Sequence, residues 1–79
     1  MKIINEPIKV MAIFSPGGKI EPIKFRLDDE VVKIEKIMKI YEEKKLGKPC
    51  VFFVCLHNRC NVYELKYETI TGEWYLYKK

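Results

Sequence analysis

From Asn61 to Lys79 apolar and polar side chains alternate almost without a break: Tyr63, Leu65 and Tyr67 are interleaved with Glu64, Lys66 and Glu68, and Trp74 and Leu76 with Tyr75 and Tyr77. A period of two marks a strand with one covered face, and aromatic side chains suit that pleated surface. Between the two runs lies Thr69-Ile70-Thr71-Gly72. Gly72 supplies the left-handed conformation that closes a hairpin loop of three or four residues. A loop from Ile70 to Gly72 sets Tyr67 opposite Tyr75 and Glu64 opposite Lys78, whereas a loop starting at Thr69 sets Tyr67 opposite Trp74 and Leu65 opposite Leu76. An exposed Glu-Lys pair contributes about 0 to 1 kcal/mol, while burying a Leu contributes about 1.5 to 3 and Trp offers more area still. The longer loop is therefore expected, with Trp74 and Leu76 inward and Lys66, Tyr75 and Tyr77 outward.

The same reading extends backwards along the chain. Ile8 to Phe14 is a short apolar run stopped by Ser15-Pro16-Gly17-Gly18, strong turn punctuation. Lys19 to Leu27 alternates Ile23, Phe25 and Leu27 with Lys24 and Arg26, and Pro22, lacking an amide proton, suits an edge or a bulge. Asp28-Asp29 marks another reversal. Gly47-Lys48-Pro49 introduces Cys50 to Leu56, C-V-F-F-V-C-L, which is apolar on both faces and reads as a central strand covered above and below.

Glu30 to Leu46 is ambiguous. Val31, Ile34, Met38 and Tyr41 fit helical spacing, with acid before them and Lys44-Lys45-Leu46-Gly47 as a stop. Against a helix, the apolar residues are mostly β-branched, and a strand bulged near Glu35-Lys36 also keeps Ile34 and Ile37 on one face. The fold class expected is mostly β, a small antiparallel curved sheet or barrel of five to six strands, with an α+β arrangement carrying a helix at 30-46 as the alternative.

Composition narrows the picture. Seventy-nine residues make a single domain, 1-79, that buries only about 60% of its unfolded surface, so self-association is a natural source of extra stability. The chain is 48% hydrophobic, which excludes disorder. No export signal is read at the N-terminus, and Ile8 to Phe14, broken by Lys9, is too short to span a bilayer; the expectation is a cytoplasmic protein with no membrane partner. The formal charge of +4 comes mostly from dispersed lysines, with arginine only at Arg26 and Arg59, which reads as a solvated surface more than a docking patch.

Three cysteines and one histidine form the one grouping with chemical potential, Cys50, Cys55, His57 and Cys60. On a strand Cys55 and His57 share a face while Cys50 points the other way, so the C-x4-C-x-H-x2-C spacing brings at most three ligands together, short of a structural zinc site. The expectation is no metal and no cofactor, with buried cysteines acting as small apolar side chains. A bridge between Cys55 and Cys60 requires a four-residue loop from Leu56 to Arg59. With one imidazole, a Gly17-Gly18 pair in a hairpin turn, and Asp28, Asp29 and Glu30 consecutive in another, no catalytic constellation converges, and an enzyme is not expected.

The segments P-I-K-F-R at Pro22 to Arg26, V-Y-E-L-K-Y at Val62 to Tyr67 and W-Y-L-Y-K at Trp74 to Lys78 together resemble a family of small bacterial proteins, over most of the chain from Pro7 onward. That family has no assigned activity, so the resemblance implies no functional residues. It does imply a small antiparallel barrel, which favours a long bent strand at Val31 to Tyr41. Some related domains accompany DNA-repair polymerases, a hint toward nucleic acid.

Two functions follow as expectations. The first is a non-enzymatic protein-interaction module, alone or as a homodimer, using an exposed apolar side of the sheet that includes part of Phe52, Val54 and Leu56. The second is a nucleic-acid-binding β-barrel whose aromatic-basic face stacks bases, the candidate surface being Lys24, Arg26, Arg59, Lys66, Tyr75 and Tyr77.

Overall fold

A computed structural model describes all residues from Met1 to Lys79. It contains eight strands: β1 (Ile3–Pro7), β2 (Val10–Phe14), β3 (Ile20–Leu27), β4 (Glu30–Lys33), β5 (Lys36–Lys45), β6 (Lys48–His57), β7 (Asn61–Glu68) and β8 (Glu73–Lys78). They form two antiparallel sheets, one of five strands in the order β1-β8-β7-β6-β5 and one of three in the order β2-β3-β4. The expected mostly-β class and curved antiparallel sheet hold. The count of strands is larger than expected, and neither sheet closes into a barrel, because the chain changes sheet at Ile8-Lys9 and again at Ile34-Glu35 and leaves free edges behind.

No helix forms at 30-46; the segment is β4 and β5 instead. Its β-branched residues find ladder partners on both sides of the crossing: Val31 and Val32 pair with Arg26 and Phe25, and Ile40 with Phe53. The irregularity falls at Met38, between Ile37 and Lys39, two residues beyond the expected bulge. Tertiary pairing here overrides a helical period that isolated sequence favours. The supposed helix stop is a two-residue hairpin turn, with Leu46 and Gly47 at φ of 52° and 80°, the primed geometry that matches strand twist.

The C-terminal hairpin adopts the longer loop. Tyr67 stands opposite Trp74 and Leu65 opposite Leu76, and the Gly72 amide donates to the Glu68 carbonyl at 2.8 Å. A bulge then makes Tyr77 the extra residue, so Glu64 still meets Lys78. Ser15 to Gly18 and Asp28-Asp29 turn the chain as expected, and Pro22 lies at the register shift of β2 and β3, fully buried.

The three-stranded sheet covers one face of the large sheet. Phe25 and Val32 from the former meet Val51, Phe53, Cys55, Leu65, Trp74 and Leu76 from the latter. Phe53 and Trp74 lie 5.6 Å apart between ring centroids, and Phe25 meets Tyr63 edge-on at 5.3 Å. β6 is interior and buried on both faces as its composition requires, although β7 is the middle strand.

Candidate functional site

The outer face of the large sheet, turned away from the three-stranded one, collects three of the six surface residues read from the sequence: Lys66, Tyr75 and Tyr77. Adjacent strands in register make this row, with Phe52 opposite both Tyr41 and Lys66, and Lys66 opposite Tyr75. Of the apolar surface expected here, Phe52 is closed at 0% exposure, while Val54 and Leu56 are half-buried. Tyr41 stacks on Phe52 at 4.9 Å with 5° between the planes, and Tyr77 abuts it edge-on at 5.0 Å. Lys66 is also buried, at 5% exposure, rather than projecting into water.

Lysine ammonium groups lie over these rings. Lys66 Nζ sits 4.4 Å from the centroid of Tyr75 and 5.5 Å from that of Tyr77. Lys45 lies 5.7 Å from both Phe52 and Tyr77, Lys78 lies 5.6 Å from Tyr77, and Lys39 lies 5.3 Å from Tyr41. Carboxylates complete the layer: Tyr41 donates its hydroxyl to Glu64 at 2.5 Å, and Lys66 pairs with Glu68 at 3.8 Å. Burial, then the hydrogen bond and charge of Glu64, push the Tyr41 phenol well above its ordinary pKa. Burial together with Glu68 and Glu73 raises that of Tyr75. Base stacking needs a bare ring face and unopposed positive charge. Here ammonium groups lie against ring faces, Lys66 pairs with Glu68 and Lys45 with Glu43 at 3.2 Å, while Lys39 and Lys78 make no ion pair.

The other surface residues do not join this row. Lys24 and Arg26 alternate with buried Phe25 and so face outward from the three-stranded sheet, across the sandwich from Lys66. Arg59 lies in the β6-β7 turn, where its backbone amide donates to Glu35 at 3.0 Å. That turn has three residues, Asn58 to Cys60, so Cys55 faces Tyr63 rather than Cys60, and all three thiols are free. Cys50 and Cys55 lie on opposite faces of β6, and His57 Nδ1 donates to the Lys33 carbonyl at 2.7 Å, tying the ends of β4 and β6.

A second feature was not read from the sequence at all. β4 pairs with Lys24 to Leu27 and the Ile34 amide just beyond it donates to the Ile23 carbonyl at 3.0 Å, so Ile20 to Pro22 have no neighbour on that side, and β5 is an edge strand. Between them runs an open groove of about 520 Å³, with Ile20, Pro22 and Ile23 on one bank and Ile34, Ile37, Met38 and Ile40 on the other, interleaved with the charged Lys19, Glu21, Glu35, Lys36 and Lys39. It continues past Ile20 and Ile40 to Val51 and Phe53 of the core. Met38 is 45% exposed and Ile40 52%.

The ladder fixes which backbone groups line this edge. The Thr69 amide donates to the Pro49 carbonyl at 3.2 Å in line with the β6-β7 register, so odd-numbered residues of β6 bond to β7 and even-numbered ones to β5. The Glu35 amide donating to the Leu56 carbonyl at 2.8 Å agrees. Phe52 and Cys50 thus engage Tyr41 and Glu43, leaving Ile40, Glu42 and Lys44 to point their N–H and C=O groups outward. Sequence could have shown the groove only if the β3-β4 and β5-β6 pairings had been known.

Comparison with protein-family models, curated proteins and solved structures gives no match to this chain. No helix is long and apolar enough to cross a membrane.

Proposed function

We propose that the chain is a non-catalytic protein-interaction module that accepts an extended strand along the free edge of β5. The observation that carries this reading is that the unpaired backbone groups of Ile40, Glu42 and Lys44 begin, at Ile40, where a groove opens whose floor is Ile20, Ile23, Ile37 and Ile40 and whose rim is charged. Added-strand recognition uses both: main-chain hydrogen bonds supply affinity, and alternate side chains seat in the groove. β5 is ten residues long and carries no proline, and its four lysines and the bulge at Met38 leave the regular stretch from Lys39 to Lys45 as the part open to pairing.

The nucleic-acid alternative has the lysines and tyrosines of the outer face in its favour, but Tyr75 and Tyr77 meet Lys66 where a base would stack. The strand-accepting reading is therefore the conclusion. Its test is a panel of unstructured peptides titrated into labelled protein while backbone amides are followed. Binders are expected to shift and protect the amides of Ile40, Glu42 and Lys44 and to be little affected by salt. Binding confined to the outer face, displaced by labelled single-stranded DNA and weakening steeply with salt, would support the alternative instead.

A further inference from the structure

The charge order along the β5 edge suits one strand in particular, β5 itself. Running antiparallel about a two-fold axis normal to the sheet, two copies keep like faces together only in registers where paired residue numbers have an even sum. The outward groups of Ile40, Glu42 and Lys44 can then meet their counterparts. Four registers are centred between Ile40 and Glu43, within the regular stretch Lys39 to Lys45, and centring on Glu43 sets that carboxylate directly against its own copy at the axis. Centring on Glu42 sets Glu42 against Glu42 and Lys39 against Lys45, like charges in both places. Centring on Ile40 requires Met38, the bulged residue, to pair with Glu42 on both sides of the axis. Centring on Tyr41 sets Lys39 against Glu43 twice, places Ile40 against Glu42 in hydrogen-bonding positions twice, and keeps the bulge outside the central five pairs.

We infer that this chain forms a two-fold dimer through antiparallel β5-β5 pairing centred on Tyr41, joining two five-stranded sheets into one of ten. The inference rests on the strand-accepting reading and names a second copy of the chain as the occupant. Lys39 and Glu43 of one copy sit opposite Glu43 and Lys39 of the other on the outer face. On the inner face, the exposed Ile40 and Met38 gain cover from the stems of Glu42 and Lys44. The paired segment is short, so the contact belongs to the small, reversible class below roughly 1,200 Å².

Light-scattering mass over roughly 10 µM to 1 mM tests it, a range suited to contacts of that class. The mass is expected to rise from that of one chain, 9.4 kDa, toward twice that value, with little dependence on salt beyond the two ion pairs. Ile40→Pro removes an amide that points away from β6, so the fold is expected to survive and the dimer to be lost. Lys39→Glu and Glu43→Lys should each weaken association by about tenfold, and the double variant should restore it, which a merely structural role would not do. In a sample of mixed isotope labelling, an intermolecular Hα-Hα contact at Tyr41 is expected. A monomer at all concentrations, or a dimer indifferent to Ile40→Pro, overturns the inference, and a dimer without charge-swap rescue overturns the register. A monomer whose β5 amides still respond to extended peptides would sink the dimer while leaving the interaction module standing.

Discussion

Replacing Phe52 by Ala tests whether the outer face of the large sheet is a second core or simply a surface. The ring is 0% exposed, yet it lies on the side the three-stranded sheet does not touch; its cover is Tyr41 at 4.9 Å, Tyr77 at 5.0 Å and the ammonium of Lys45 at 5.7 Å. An aromatic side chain buries roughly 150 to 250 Å², which at about 25 cal/mol/Å² amounts to about 4 to 6 kcal/mol. Ala keeps part of that area, and the flexible cover can partly collapse, so the expected loss is about 3 to 5 kcal/mol. A domain of this length holds about 4 to 12 kcal/mol in all. Urea denaturation at pH 7 should then show Phe52→Ala shifted as far as Phe53→Ala, whose ring lies in the inter-sheet core. A surface position would shift by less than about 0.5 kcal/mol. If Phe52→Ala costs under about 1 kcal/mol while Phe53→Ala costs several, the layer of Tyr41, Tyr77 and Lys45 does not exclude water, and the account of this face fails.

Two further outcomes are expected. Lys66→Met leaves the buried carboxylate of Glu68 without its ammonium partner and should cost about 3 to 5 kcal/mol by the same denaturation assay, whereas adding Glu68→Gln should recover most of it; a double variant no better than the single would show that the pair is not the source. Stability should also fall in alkali. Burial raises the Cys55 thiol to about 12, and burial with Glu64 raises the Tyr41 phenol, so both stay neutral in the folded chain after ionising in the unfolded one. Their contribution is complete below the unfolded values, about 8.5 for Cys and about 10 for Tyr, and is lost as pH rises past them. Thermal unfolding should be level near pH 7 and drop from about pH 9 upward, with Cys55→Ala delaying the onset; an unchanged onset in that variant refutes the assignment.

Local pattern and turn chemistry carried most of the fold. The choice of hairpin loop at Thr69 to Gly72 followed from comparing burial with a surface ion pair, and the observed register agrees. Ser15 to Gly18 and Asp28-Asp29 were legible because Pro, Gly and Asp restrict or free particular dihedrals whatever surrounds them. The 30-46 segment was not, because Val31, Ile34, Met38 and Tyr41 satisfy a helical period and the same residues satisfy two strands once partners exist. Closure failed for a related reason: a strand's own residues say that it wants neighbours, and only the crossings at Ile8-Lys9 and Ile34-Glu35 decide which edges stay without one.

The site was less legible than the fold. Alternation in β7 correctly put Glu64, Lys66 and Glu68 on the face opposite Leu65, and exposure was read from their charge. They are buried because β7 is the middle strand, where Tyr41, Tyr75 and Tyr77 from neighbouring strands fold over them. Lys24, Arg26 and Arg59 share a charge with Lys66 but not a surface, since basic residues far apart in sequence carry no mutual register.

By itself, then, the chain determined the strands outside 1-7 and 30-46, the turns at Ser15 to Gly18, Asp28-Asp29 and Thr69 to Gly72, and the inward side of its last hairpin, all set by interactions among residues a few positions apart. Tertiary structure alone decided that two sheets stack without closing, that Tyr41, Tyr77 and Lys45 cover Phe52 on the outer face, and that β5 keeps a free edge beside a groove of mixed apolar and charged lining. Those outcomes depend on which strands become neighbours, a long-range pairing that period and propensity do not encode.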